Sequence, residues 1–497
     1  MRRLRTLPAL ITLLAVGSGC AFIERVDVDT APPIPFIHSV SLGISNDGRF
    51  TAFEDEELGE PDKTRIHVRD LQTATTELVS VNPFGASPFD AASPAISGNG
   101  RWVAYTAWRT DLDPIQRWDV FLFDRQTDVT TRVTDQASTP SGLLSSSYRP
   151  AVSIDGDKVA FESESVNLVG GDANGAQTDI YVWTRSTDTF VRASVDEAGV
   201  QLATSSADPF INDSGRYVSF DDSAGQVYVR DLLLNTTDQI NPEFGPGGPA
   251  VGRKTSISEN ARYVAFDDGQ TGDNRAYRFD RTTDVLVVVS LTTGGAVAGD
   301  SSVGQISGDG TMVSWTSNVL ATPDDQNPGV DLFVRDLAAG RTKLLSSDLL
   351  LGDWSGHVQS SLRHGPVLSR DGNYAAFHVN GSGLVDGQTD GVYVRATRLT
   401  TVTNAIPSNL PDGTTSVVEL VGTGFRPDTQ IYLSGDARER WNLTLVHYLD
   451  ENTMHLTVQI VSGAAPGPFN IVAINPGSAW GPYKGAANWC LGCLTIT

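Results

Sequence analysis

The sequence predicts an all-β protein, a seven-bladed β-propeller followed by a small immunoglobulin-like β-sandwich. Three observations lead there. A phrase made of an apolar residue, a short polar turn and an alternating strand ending in an aromatic recurs seven times, with a mean period of 54 residues between Gly48 and Gly372. A second phrase, strand–polar turn–strand, follows each copy, so every repeat supplies four strands. After about residue 404 the period stops, and alternating strands between Gly/Pro turns take over.

Taken from the N-terminus, residues 1–20 read as a targeting segment. Arg2, Arg3 and Arg5 form a basic region, and Leu7 to Val16 is an apolar run too short to span a bilayer. Gly17-Ser18-Gly19-Cys20 then resembles a bacterial lipoprotein signal, with Cys20 as the lipidated first residue of the mature chain. The usual aliphatic residue is replaced by Gly17. By the same resemblance, Ala21 after the cysteine points to the outer membrane, with the lipid anchor as the membrane contact. Residues 21–36 read as a linker.

Residues 37–404 carry the repeats. The first phrase appears as Ile44-Ser45-Asn46-Asp47-Gly48-Arg49-Phe50-Thr51-Ala52-Phe53 and Ile96-Ser97-Gly98-Asn99-Gly100-Arg101-Trp102-Val103-Ala104-Tyr105. It returns at 152–161, 211–220, 257–266, 306–315 and 368–377. The copy at 257–266 has Asn260-Ala261 where the others have glycine. The second phrase runs Ile66 to Asp70, Val120 to Asp124, Ile180 to Thr184, Val227 to Asp231, Ala276 to Asp280, Leu332 to Asp336 and Val392 to Ala396. A four-stranded sheet of this size cannot bury both its faces. Sheets packed around an axis bury each other's faces and protect their edges.

The Ser-x-Asp-Gly-Arg-x-Val-Ala-Phe phrase, with the later Asp-(Ile/Val)-(Tyr/Phe)-Val-x-(Asp/Thr) phrase, resembles the TolB-type propeller repeat over about residues 38–404. The resemblance implies a non-enzymatic binding propeller of the cell envelope. Ser307-Gly308-Asp309-Gly310 before Trp315 is similar to a sialidase Asp-box, but it lies in register with the other turns. No arginine triad with a nucleophilic tyrosine can be assigned.

Residues 405–497 read as a β-sandwich. Gly422-Thr423-Gly424-Phe425, and Pro466-Gly467 before a strand ending in Asn475-Pro476-Gly477, resemble an IPT/TIG domain, which implies a spacer or interaction module. Cys490 and Cys493 share the last stretch. In an oxidising compartment they are candidates for a local disulfide, and Leu494-Thr495-Ile496 reads as a strand rather than the helix that redox pairs usually open. Trp441, Trp480, Tyr483 and Trp489 fit a sandwich core better than a sugar platform.

The formal net charge of −23 disfavours nucleic acid. No Gly-x-Ser-x-Gly elbow, His-Glu-x-x-His helix or phosphate-cradling loop is present. His357 and His364 share a long segment with Asp353 and Trp354 but form no ligand-spaced cluster. The long connections lie between second and third strands and between repeats, which places them all on one face, where function tends to sit. That face is expected to be acidic, through Glu54, Asp55, Glu56, Asp111, Asp113, Asp221, Asp267 and Asp324, and to attract cationic groups or Ca²⁺. Asp172, Asn174 and Asp179, alternating oxygen ligands around Gly175, make a local Ca²⁺ candidate that lacks the terminal bidentate Glu.

The sequence therefore favours an exported, lipid-anchored, non-enzymatic scaffold that contacts an envelope protein or peptidoglycan-associated partner. The alternative is a polysaccharide-acting lyase or glycosidase, or a carbohydrate-binding surface protein. No catalytic residue is assigned.

Overall fold

The structure is a computed structural model. It describes residues 23–26, 42–56, 64–81, 90–109, 117–135, 145–175, 177–240, 252–269, 274–323, 325, 329–346, 357–358, 366–382, 389–397, 401–423, 425, 429–434, 441–450, 453–463, 467–474 and 487–496. A few strand side chains, Glu56 and those of 487–493 among them, lie outside that description.

The described residues are all β, and the strands fall into successive four-stranded antiparallel sheets. A short strand, β1 (Ile23–Arg25), precedes them. Blade one is β2 (Leu42–Ile44), β3 (Phe50–Glu56), β4 (Thr64–Asp70) and β5 (Thr75–Leu78). Blade two is β6 (Asp90–Ile96), β7 (Trp102–Arg109), β8 (Arg117–Asp124) and β9 (Val129–Arg132). Blade three is β10 (Ser147–Val152), β11 (Lys158–Ser163), β12 (Asp179–Thr184) and β13 (Thr189–Arg192). Blade four is β14 (Ser206–Ile211), β15 (Tyr217–Asp222), β16 (Val227–Asp231) and β17 (Thr236–Ile240). Blade five is β18 (Arg253–Ile257), β19 (Tyr263–Asp267), β20 (Ala276–Asp280) and β21 (Val285–Val288). Blade six is β22 (Ser302–Ile306), β23 (Met312–Ser317), β24 (Asp331–Asp336) and β25 (Arg341–Leu344). In blade seven β26 (His357–Val358) and β27 (Val367–Leu368) both pair with β28 (Tyr374–Ser382), which pairs with β29 (Thr389–Ala396).

Each first strand packs against the preceding blade, and β27 touches both β22 of blade six and β2 of blade one, which closes the ring. The fourth strand of blade seven is β1, pairing Ile23 with Arg395 and Arg25 with Tyr393. Part of the expected 21–36 linker is thus the closing strand. Without it, the edge of β29 would present unpaired backbone groups.

The turn phrase explains itself chemically. In blade one the Ser45 hydroxyl donates to Asp47 Oδ1 at 2.7 Å and accepts from the Phe50 amide at 2.9 Å. The Arg49 amide donates to Asp47 Oδ1 at 3.0 Å, and Gly48 holds φ +71°. Ser97, Ser153, Ser258, Ser307 and Ser369 repeat the pattern, with Asn212 substituting in blade four. A left-handed residue suits this tight turn, and glycine adopts it at no steric cost. In blade five Ala261 takes φ 56° instead.

These glycines also interlock the blades. A Cβ on Gly100 would fall 2.2 Å from the Phe50 ring of blade one, and on Gly156 2.3 Å from the Trp102 ring of blade two. The same rings lie under guanidinium groups, Arg49 and Arg125 over Phe50 at 4.5 and 4.3 Å, Arg101 and Arg185 over Trp102 at 4.7 and 4.4 Å. Arg101 is in turn bonded to Asp124 at 2.7 and 2.6 Å, the last residue of the second phrase.

A second compact unit begins near residue 399. The strand β30 (Thr401–Ile406), which the sequence assigns in part to the last blade, pairs instead with β32 (Thr415–Thr423). Between them lies β31 (Asn409–Leu410), and after them β33 (Gln430–Ser434), β34 (Trp441–Asp450), β35 (Thr453–Ile460), β36 (Gly467–Ile474) and β37 (Ala487–Ile496). They form two sheets, ordered β30-β32-β35-β34 and β31-β37-β36-β33. Val418, Leu420 and Leu456 of one sheet share a buried core with Ile471, Leu494 and Ile496 of the other.

Gly156→Ala should combine a strained left-handed alanine with a collision against Trp102, costing on the order of 2–4 kcal/mol in urea unfolding. Gly199, at φ +78° with nothing within 4 Å of its added Cβ, should cost only about 1 kcal/mol as Gly199→Ala.

Candidate functional site

The first strands of all seven blades surround the axis and line a cavity of about 170 Å³. Its walls mix apolar and polar groups, with Pro94, Pro150 and Pro209 at equivalent places in blades two, three and four. The charged groups reaching it are Arg149, Asp208, Asp213 and Lys254.

Three of these owe their position to a backbone irregularity. The register of each first strand slips before the axis, between Tyr148 and Ala151, Ala207 and Phe210, and Arg253 and Ser256. Such a bulge re-aims a side chain. Arg149, Asp208 and Lys254 sit in it at φ 47°, 52° and 55°, with Ser93 at 56° in blade two.

The left-handed bulge is held by the previous blade. Glu54 Oε2 accepts from the Ser93 amide at 3.1 Å, Glu162 Oε1 from the Asp208 amide at 2.7 Å, and Asp221 Oδ2 from the Lys254 amide at 2.9 Å. Asp267 takes the same place in blade five and accepts from Ser302 Oγ at 3.0 Å. Arg149 Nη1 bridges Glu162 and Asp208 at 2.8 Å each, and Lys254 Nζ donates to Ser302 Oγ at 2.8 Å. Burial pushes the carboxyls of Glu162 and Asp221 up, with the Asp208 charge adding to the rise in both. Burial also raises Asp267 to about 6, against the pull of Lys254.

Four residues expected on an acidic loop face lie inside the sheets instead. Glu54, Asp55, Asp221 and Asp267 are buried, at 8%, 0%, 5% and 2% exposure. Glu54, Asp221 and Asp267 sit near the ends of the second strands and are spent on the neighbouring blade, so they present no open acidic surface. Glu56's side chain and residues Asp111, Asp113 and Asp324 lie outside the description.

The opposite end of the axis is closed. The residue after the turn Ser or Asn differs in every blade but two, being Asn46, Gly98, Ile154, Asp213, Glu259, Gly308 and Arg370. Asn46 Nδ2 reaches across to Asp213 Oδ2 at 2.6 Å. Glu259 accepts from the Asp213 and Ser214 amides at 2.8 and 3.0 Å. Arg370 donates to Glu259 Oε2 at 3.1 Å and to the Ile257 carbonyl at 2.8 Å, and its Nε lies 3.8 Å from Asp213 Oδ1. Glycine is required beside this network, since a Cβ on Gly98 would fall 2.4 Å from Asn46 Oδ1. The cavity therefore has a floor. Burial raises the Asp213 carboxyl, although Arg370 opposes it.

The Ca²⁺ candidate assembles, but around protein donors. Gln201 Nε2 bridges Asp172 Oδ1 and Asp179 Oδ2 at 2.8 and 2.7 Å. Asn174 Nδ2 lies 3.4 Å from Asp179 Oδ1, which also accepts from Ser194 Oγ at 2.7 Å. Asp179 opens the second phrase, and Asp119 and Asp331 accept from Thr134 and Ser346 in the same way. Its role belongs to the repeat. Among the described residues no three His, Cys, Asp or Glu side chains are arranged to hold a metal. Cys20 lies outside the description, as do the side chains of Cys490 and Cys493, whose backbones belong to β37.

The floor and rim residues were not singled out from the sequence. Their signal was present, in the one turn position that varies from blade to blade and in the Ser-Pro, Arg-Pro and Asp-Pro pairs of the first strands.

No protein-family model matches the chain, and no curated relative matches it. Solved structures with a similar fold include an oligogalacturonate lyase from Vibrio parahaemolyticus, 12% identical with a TM-score of 0.48 over 77% of this chain and 99% of that one. TolB from Acinetobacter baumannii is 12% identical, with a TM-score of 0.37 over 76% and 96% of the two chains. The Swd1 propeller domain of Myceliophteria thermophila is 13% identical, with a TM-score of 0.43 over 76% and 100%. No site residue is carried over from them.

A carboxyl whose native pKa lies above its unfolded value binds its proton first in the native state, so stability rises as pH falls through the native pKa. For Asp267 that window runs from about 6 down to the ordinary aspartate value of 3.8. Relative to Asp267→Asn, the wild type should gain about 1.4 kcal/mol of stability between pH 7.5 and 5. Urea unfolding at the two pH values reads the difference.

Proposed function

We propose that the protein is an exported cell-envelope propeller with a non-enzymatic, protein-binding or scaffolding role, held to a membrane through lipidated Cys20. The observation that carries the binding role is the one-ended axial cavity. Its floor is a closed ion-pair network, and the end ringed by Arg149, Asp208 and Lys254 lies on the side of the long connections. A partner engaging those connections meets the charged rim.

The charged groups around the axis are paired with one another. Arg149 is committed to two carboxylates, and Lys254 to Ser302 beside Asp267. This suits recognition, where fixed charges set orientation, better than proton transfer by a group poised at a reacting atom. No helix of the described residues is long and apolar enough to cross a membrane, so the proposed attachment rests on the lipobox. The C-terminal sandwich, read as an IPT/TIG-like unit, would act as a spacer or second interaction module.

Three experiments test the reading. Cys20→Ser should move the protein from the membrane to the soluble fraction, and mass spectrometry of the wild type should find acyl chains on Cys20. The immobilised full chain should capture a discrete envelope protein at about 1:1, releasing it as salt rises from about 0.05 to 0.5 M. A panel of envelope and plant polysaccharides should be left intact. Depolymerisation of any of them, abolished by Asp208→Asn, would establish the enzyme alternative instead.

A further inference from the structure

We infer that the propeller lies against lipid with its short-turn face, seated by the Cys20 tether beside blade seven and by an exposed leucine pair, Leu233 and Leu234, across the ring in blade four. This rests on the proposed lipidation of Cys20. It adds which end of the ring meets the membrane and which side chains hold it there.

Strand direction fixes the first contact. The third strand of each blade comes from the face of the long connections and ends at a short turn. In blade seven the end is located directly, since the Thr397 amide, just past β29, donates to the Asn373 carbonyl of the first turn at 2.9 Å. β1 runs antiparallel to β29, with Ile23 opposite Arg395 and the Val26 amide on the Val392 carbonyl at 2.8 Å. Ile23 therefore stands at the turn end. Two residues between it and Cys20 allow about 10 Å of chain. A lipid anchor on so short a lead draws the turn face to the membrane and holds the mouth of the axial cavity away from it.

The second contact is an exception within a repeated turn. The Leu233 and Leu234 amides donate to Asp231 Oδ1 at 2.9 and 3.0 Å. Gln72 and Thr73 do the same to Asp70 at 2.9 and 3.4 Å, and Ala338 and Ala339 to Asp336 at 3.1 and 2.9 Å. In blades two and five the amides of Gln126 and Thr282 reach Asp124 and Asp280 at 3.0 Å each. The bonds use carboxylate and backbone, so the side chains at these places are free to differ. Elsewhere among the described turns they are polar or small. Blade four carries two leucines there, 72% and 64% exposed, the most exposed of the large apolar side chains among the described residues. Leu232 beside them packs on the blade's core, and Asp231 is clamped by Arg216 at 2.7 Å, so the pair is displayed from a fixed turn.

Placement joins the two. In a ring of seven, blades three and four stand farthest from blade seven. β1 is the outermost strand of its blade, and the leucines occupy the outer turn of theirs. Contacts at opposite sides of one face set the ring flat on the surface. Leucines held at an interface gain by passing from water into the acyl boundary. Lipid is the apolar medium that the tether places beside them.

Photo-crosslinking tests the seating. The acylated full chain is reconstituted on phosphatidylcholine vesicles, whose neutral surface does not repel a chain of net charge −23. Separate preparations carry p-benzoylphenylalanine at Leu233, at Thr283 in the corresponding turn of blade five, and at Val200 on the face of the long connections. Mass spectrometry after irradiation reads the adducts and the acyl chains on Cys20. Lipid adducts at Leu233 and Thr283 should exceed those at Val200 by about fivefold or more. Leu233→Asp with Leu234→Asp should cut the Thr283 adduct about fivefold. A thermal melt checks that the ring is intact, and Leu233→Ser with Leu234→Ser replaces the pair if the melt shifts.

Equal adducts on the two faces, adducts concentrated at Val200, or a Thr283 adduct indifferent to the leucines would each overturn the inference. So would a crosslink from Leu233 to a second copy of the chain, which names a different occupant. With acyl chains on Cys20, those results remove the seating and leave the attachment standing. Cys20 free of acyl chains removes both.

Discussion

The hydrogen bond from a bulge amide to a carboxylate of the preceding blade is the constraint on which the propeller's centre depends. A first strand running straight past the axis would direct alternate side chains at its neighbours and leave the middle lined by backbone. The slip at Ser93, Arg149, Asp208 and Lys254 turns one residue of each strand to a left-handed conformation, which costs on the order of 1–2 kcal/mol for a residue with a side chain. Glu54, Glu162 and Asp221 offset that cost by accepting the amide the slip frees. The carboxylates are ionic partners of nothing in the solvent. They are joints between blades, and the cavity is shaped by their reach.

Much of the frame was legible in the sequence because its chemistry is local. Ser45, Asp47, Gly48 and Phe50 close a turn within six residues, and the same bonds recur wherever the phrase does. The second phrase was legible for the same reason, and its final Asp70, Asp124, Asp231 and Asp280 receive the arginine that follows the left-handed turn residue. What escaped was long-range. Glu54 and Asp221 look like loop acids when read along the chain, yet each is the last inward residue of a strand, facing a backbone some 33 to 39 positions away. Asp172 and Asp179 look like cation ligands until Gln201 arrives from the next connection. The three-residue strand Ile23–Arg25 carries no alternation long enough to be noticed, and its partner lies at the other end of the repeats.

A uniform frame makes its exceptions informative. Where the repeat needs a residue, it keeps one, as with the turn serine and the stacked aromatic. Where it needs none, blades differ, and those differences gather at the axis because every blade points the same two positions there. Asn46, Asp213, Glu259 and Arg370 are four different answers at one turn position, and they fit each other rather than their own blades. Gly98 and Gly308 are the room they require. The centre of the ring is decided by few residues, each far from the others in sequence.

The seam between β1 and β29 has a mechanical consequence. Were the chain tethered at residue 20, only two residues would separate the tether from Ile23, a leash of about 10 Å at full extension. The ring would then ride almost flush with the lipid, unable to swing outward. Any pull on the tether would load the ladder joining Ile23 to Arg395 and Arg25 to Tyr393 before it reached the rest of the circle. The seam that closes the ring would also be the one that feels the membrane first.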